Sequence, residues 1–145
     1  MAEIFNARDL ILQGTVPRLT VTAVTILPEA SGFLKDKNVL ALSPATLNLT
    51  TVLVGFTAAA TYDWYYASSL NPTTFTLLVS GTSYTSYSIT NTAFLTHVGL
   101  GTSVIYKCKV TQPGWADAET TTTINYTKRA NDVPVATLNK TSIVL

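Results

Sequence analysis

An all-β sandwich of about seven short strands is the fold that this sequence predicts, and three observations predict it. Val104 to Val110, reading V-I-Y-K-C-K-V, alternates with period two. Val104, Tyr106, Cys108 and Val110 therefore share one face, while Ile105, Lys107, Lys109 and Thr111 share the other. Thr61 to Ala67 (T-Y-D-W-Y-Y-A) alternates in the same way and gathers Tyr62, Trp64 and Tyr66 on one side. Of 145 residues, 47% are hydrophobic and only 12% charged. The polar remainder is rich in Thr and Ser, as in Thr120 to Thr123, side chains that suit the outer face of a strand.

A Trp followed by Tyr-x-Cys, here Trp64, Tyr106 and Cys108, is the order of an immunoglobulin-like sandwich, with Trp on strand C and the Tyr corner opening strand F. Three regions are expected: an N-terminal arm over residues 1–37, the sandwich over 38–132, and a linker with the first strand of a second unit over 133–145. In the arm, Arg18 to Ile26 alternates well enough for one extended strand that Pro28 ends. Its clusters Ile4-Phe5 and Leu10-Ile11-Leu12 have no second set of strands to pack on, so they are candidate assembly contacts. Gly32 and Lys35-Asp36-Lys37-Asn38 read as the link into the sandwich.

Leu42 to Ala45 reads as strand A, with Pro44 tolerated at a sheet margin. Leu47 to Phe56 reads as strand B, with Val52 to Val54 standing where an antibody domain has its first Cys. Thr61 to Ala67 is strand C, and Ser68 to Pro72 a turn. Phe75 to Val79 and Tyr84 to Ile89 read as a hairpin about Ser80-Gly81. Asn91 to Gly101 reads as a loop, within which the Tyr106 hydroxyl should find a backbone partner. Strand F follows to about Gln112, Pro113-Gly114 makes a turn, and Glu119 to Thr127 is strand G. Beyond it, Val135 to Leu145 (V-A-T-L-N-K-T-S-I-V-L) repeats much of Pro44 to Val54 (P-A-T-L-N-L-T-T-V-L-V) at an offset of 91 residues, close to one unit of about 100.

The chain has one Cys, so no intrachain bridge can join the two sheets. Cys108 is expected to act as a small buried apolar residue. A bridge-free sandwich, lacking the roughly 2–5 kcal/mol that such a bridge supplies, fits folding in a reducing cytoplasm or stabilisation by assembly. Nine basic against eight acidic residues leave a net charge of +1, no field to draw in nucleic acid. Leu10 to Leu12 is too short for a secretory core and no apolar run reaches a bilayer's length, so neither signal peptide nor membrane span is expected.

Little in the sequence carries chemistry. His97, the single histidine, has no Cys or carboxylate at ligand spacing and reads as a solvated loop residue. Asp63 and Asp117 have no nearby carboxylate partner, and no Gly-rich phosphate loop occurs. Asn48, Asn125 and Asn139 begin acceptor triplets for glycosylation that mean little without a secretory signal. No enzymatic activity, cofactor or metal is expected. Trp115, after Pro113-Gly114, stands in the F to G loop and is the candidate binding-loop residue, with Tyr65 on the outer face of strand C.

Trp64, Tyr106-Lys107-Cys108, the Thr-rich last strand, the missing partner Cys and the recurring A-T-L-N together resemble the tandem immunoglobulin-like domains of bacteriophage tail fibres, tail-tip proteins and other virion proteins. The resemblance covers about residues 39–132. It implies a structural virion component assembled in the host cytoplasm, whose N-terminal segment docks on tail or baseplate proteins and sister copies as a homo-oligomer. The other class of function is a carbohydrate- or protein-binding module of a surface adhesin, which would meet a host cell-surface glycan or protein through the F to G loop.

Overall fold

Strand pairing divides the chain between two antiparallel-rich sheets whose inward residues meet in one hydrophobic cluster. The computed structural model describes residues 21–36, 42–57 and 59–128. Within them lie nine strands: β1 (Ala23–Pro28), β2 (Gly32–Lys35), β3 (Leu42–Ser43), β4 (Thr46–Val54), β5 (Thr61–Ser68), β6 (Thr76–Gly81), β7 (Ser86–Thr90), β8 (Ser103–Thr111) and β9 (Ala118–Lys128), with one helix, α1 (Asn91–Val98), between β7 and β8. The smaller sheet has the order β1-β4-β7 and the larger β3-β2-β9-β8-β5-β6.

The strongest sequence signal sits at the centre of the larger sheet. Val104, Tyr106, Cys108 and Val110 of β8 are all sealed from solvent and alternate with partly exposed neighbours. β8 pairs antiparallel with β5 on one side, Trp64 opposite Cys108, and with β9 on the other. From the smaller sheet Val24, Ile26, Leu47, Leu49 and Ile89 close the cluster.

Several sequence-based expectations are corrected. The stretch read as the end of an arm and a linker belongs to the sandwich: β1 pairs with β4 along its whole length, and β2 runs parallel to β9. Alternation within A-V-T-I-L-P turns Val24 and Ile26 inward, and Phe33 is buried against Phe94, rings 4.5 Å apart. Burying those three apolar side chains is worth more than leaving them on a free arm, at about 1.5–3 kcal/mol each. Gly32 permits the close approach of β2, because a Cβ there would stand 2.2 Å from the Asn125 carbonyl oxygen. Residues 1–20, with Ile4, Phe5, Leu10, Ile11 and Leu12, lie outside the described residues.

Phe75 to Ile89 is not a hairpin. β6 is an edge of the larger sheet and β7 an edge of the smaller, so the chain crosses between sheets at Thr82 to Thr85. The Trp64 indole anchors that crossing by donating from Nε1 to the Tyr84 carbonyl at 2.8 Å. The stretch Asn91 to Gly101 is not a plain loop, since its first eight residues form α1. Thr90 caps α1, its hydroxyl accepting from the Ala93 N–H at 3.1 Å, and Gly99 with positive φ ends it. Val52 and Val54, expected in the core where a bridge would stand, face outward, and Leu47 and Leu49 fill the inward side of β4.

The expected linker and first strand of a second unit, residues 133–145, lie outside the described residues.

Candidate functional site

Two loops meet at one end of the sandwich, Gly55 to Ala60 between β4 and β5 and Gln112 to Asp117 between β8 and β9. A side-chain clamp joins them: Gln112 donates from Nε2 to the Thr57 hydroxyl at 2.6 Å, and its Oε1 accepts the Thr57 N–H at 3.0 Å. Such a reciprocal pair satisfies both ends of the amide and fixes the loops against each other. The Pro113-Gly114 turn closes with the Trp115 N–H donating to the Gln112 carbonyl, and Gly114 takes a φ of 84°, a conformation that suits glycine. The Thr22 hydroxyl ties the loop to the N-terminal side by donating to the Ala116 carbonyl at 2.7 Å.

Trp115, the binding-loop candidate, is half-buried and stacks against Phe56 with centroids 6.5 Å apart. It lines an open cleft of about 460 Å³ with Thr111, Gln112 and Asp117. The Asp117 carboxylate is exposed and 3.8 Å from Lys109, a surface pair of small energetic weight. An indole face beside amide and carboxylate groups can stack on a ring and accept hydrogen bonds from hydroxyls. Tyr65 is on the outer face of β5 as expected from its register, and the Lys107 ammonium lies over both its ring and that of Phe75, at 4.9 and 4.3 Å.

The other sequence-selected residues lie inside. Trp64, Tyr106 and Cys108 are all without solvent exposure. His97 corrects the expectation of a solvated residue: it is buried on the inner face of α1, its Nδ1 is 2.8 Å from the Tyr106 hydroxyl, and its ring stacks on Tyr66 at 4.0 Å. The Tyr106 hydroxyl thus finds a side chain in the predicted segment where a backbone group was expected. Burial lowers the His97 pKa and raises that of Tyr106, so both favour their neutral forms. With the His97 imidazole engaged by the buried Tyr106 phenol, this cluster is a structural polar centre. The signal for it was present in the sequence: Thr90 before and Gly99 after an eight-residue segment, with Phe94, His97 and Val98 at helical spacing.

This geometry sets an acid limit to stability. An imidazole whose folded pKa lies below its unfolded value makes the unfolded state bind more protons. Stability is therefore complete above the unfolded value of about 6.5 and falls as pH drops toward the folded value, by up to about 1.4 kcal/mol per unit. Urea midpoints measured from pH 7.5 to 5 should show this fall, and His97→Gln should flatten it. An unaltered slope in His97→Gln would assign the acid limit to other groups.

Cys108 shows the opposite sign. Desolvation, and next the charge of Asp63, push its thiol up to about 12. Its stabilising share is present below the unfolded thiol value and is lost as pH rises toward 12. Cys108→Val should change stability by less than about 1.5 kcal/mol at neutral pH, and native protein should react with a bulky thiol reagent far more slowly than urea-unfolded protein. Equal rates would place the sulfur at the surface.

Among the described residues, no group of three or more His, Cys, Asp or Glu side chains is placed to hold a metal ion, and no helix is long and apolar enough to cross a membrane. Comparison with protein-family models, with curated proteins and with solved structures finds no match to the chain.

Proposed function

We propose that the chain is an immunoglobulin-like structural module of a bacteriophage virion, part of a tail fibre or other tail protein, docked through its N-terminal segment on tail or baseplate components. The observation that carries the fold part of this reading is the relation of β5 to β8, with Trp64 beside Cys108 and Tyr106 at the corner after α1. The strand orders support it: β1-β4-β7 follows A-B-E, and β2-β9-β8-β5-β6 follows a strand parallel to G, then G, F, C and an added C′. The virion part rests on the sequence resemblance. Immunogold microscopy of phage particles produced from the encoding genome, with antibody against this chain, tests it. Label on the tail supports the reading, and particles free of label and of the chain by mass spectrometry sink it.

The cleft beside Trp115 favours one second reading, a glycan- or protein-binding module that uses the β8–β9 loop. A glycan array probed with the chain and with Trp115→Ala separates the two: binding that Trp115→Ala abolishes supports a recognition role, and no binding leaves the loop as a cap on its own sandwich.

A further inference from the structure

His97 can change its charge inside surroundings that are apolar and phenolic. Its Nδ1 is 2.8 Å from the Tyr106 hydroxyl, its ring stacks on Tyr66 at 4.0 Å and meets the Tyr106 ring edge-on at 5.7 Å. In the neutral form with the proton on Nε2, the hydroxyl donates to Nδ1. Protonation makes both ring nitrogens donors, so the Tyr106 hydroxyl, itself without solvent exposure, loses that acceptor and must turn its hydrogen elsewhere. The surroundings offer the imidazolium no counter-charge. β5 presents Tyr66, β8 presents Tyr106 with Tyr87 of β7 6.4 Å beyond it, β2 presents Phe33 to Phe94, and α1 carries no other ionisable side chain. The charges of β5 and β8, on Asp63, Lys107 and Lys109, are at outward positions, and on the β9 side, where Tyr126 meets Phe94, the charge is the Lys128 cation. The Tyr66 ring offsets part of the lost hydration of an imidazolium, but burying an unpaired cation costs more.

α1 is the element that can yield to this charge. It joins β7 to β8 as a strap whose ends are tied down: the Asn91 N–H donates to the Ala45 carbonyl at 2.9 Å, the Asn91 side chain to the Leu42 carbonyl at 3.3 Å, and the Ser68 hydroxyl to the Val98 carbonyl at 3.2 Å. Between those ties only Phe94, His97 and Val98 are buried. Neither sheet's ladder passes through α1, so the strands stay paired when it lifts. A helix of eight residues does not persist without tertiary packing. Gly99, with φ 54° and nothing within 4 Å of where a Cβ would stand, supplies a hinge at its C-terminal end.

We propose that protonation of His97 releases α1 from the sheets while both sheets stay paired, so that the helix is a pH-sensitive strap built into the sandwich. Such a release does not depend on the virion reading, and it differs from the acid loss of stability, which unfolding of the whole domain would equally produce. Native-state hydrogen exchange on the full chain in low concentrations of urea, from pH 7.5 to 5, tests it, together with an NMR titration of the imidazole, which is unambiguous because the chain has a single His. The amides of Leu95 to Gly99 should be at least about 100-fold less protected than those of Trp64 and Cys108, through an opening that urea barely affects because it exposes little surface. Corrected for intrinsic exchange, their protection should fall by up to about tenfold per pH unit below about 6.5 and level off at the imidazole pKa that NMR gives. His97→Gln should abolish that fall. Should this variant not fold, the parent decides: levelling at the NMR pKa supports the strap, and levelling elsewhere overturns it. Equal protection and equal urea dependence of the α1 and β8 amides would mean that the helix leaves only when the domain unfolds, and overturns the proposal. An α1 opening indifferent to pH, or an imidazole that titrates at or above about 6.5, overturns it as well.

Discussion

Trp64→Ala is expected to leave the protein largely unfolded, with a loss of about 3–5 kcal/mol against a total stability of about 5–15 kcal/mol for a domain of this kind. Three contributions converge on this side chain. It is wholly buried between the sheets and stacks on Tyr87 at 5.9 Å. It lies beside Cys108 on one neighbouring strand and Val79 on the other. Its Nε1 also holds the Tyr84 carbonyl where the chain leaves one sheet for the other, and truncation would remove that hydrogen bond, worth about 0.5–1.5 kcal/mol more. Trp64→Phe keeps much of the packing but not the hydrogen bond, so it should fall between parent and Ala. Urea denaturation measures all three; an Ala midpoint equal to the parent's would remove Trp64 from the core.

Phe33→Ala is expected to cost about 3–5 kcal/mol as well, although Phe33 lies in a stretch that reads as a linker. The ring is buried and stacks on Phe94, which in turn meets the edge of Tyr126 at 6.0 Å. Phe33 therefore holds β2 and α1 to β9 at once. A double-mutant cycle with Phe94→Ala should give a coupling of about 0.5–1.5 kcal/mol for the stacked pair. Were Gly32–Lys35 a linker, Phe33→Ala would stay within about 0.5 kcal/mol of the parent, so one denaturation curve decides between the two readings.

Side-chain alternation is a local property, and it was sufficient to locate β4, β5, β8 and most of β9 and to turn Trp64, Tyr106 and Cys108 inward. It also marked Trp115 as a loop aromatic, because Pro113-Gly114 announces a turn whatever packs beside it. Partners distant in sequence could not be read this way. The Gln112–Thr57 clamp and the Phe56–Trp115 stack join loops more than 50 residues apart. The two-residue alternation of Ala23 to Leu27 says that one face is apolar, but not whether that face covers this chain's core or a neighbour's. Only the tertiary structure decided that β1 and β2 complete the sandwich, since Val24, Ile26 and Phe33 gain a buried surface only once β4, β9 and α1 are assembled around them. The same cause explains His97. Its chain neighbours are compatible with a solvated loop, and it is the packing of α1 over β5 and β8 that brings Tyr66 and Tyr106 to its ring and makes the neutral, buried form the stable one.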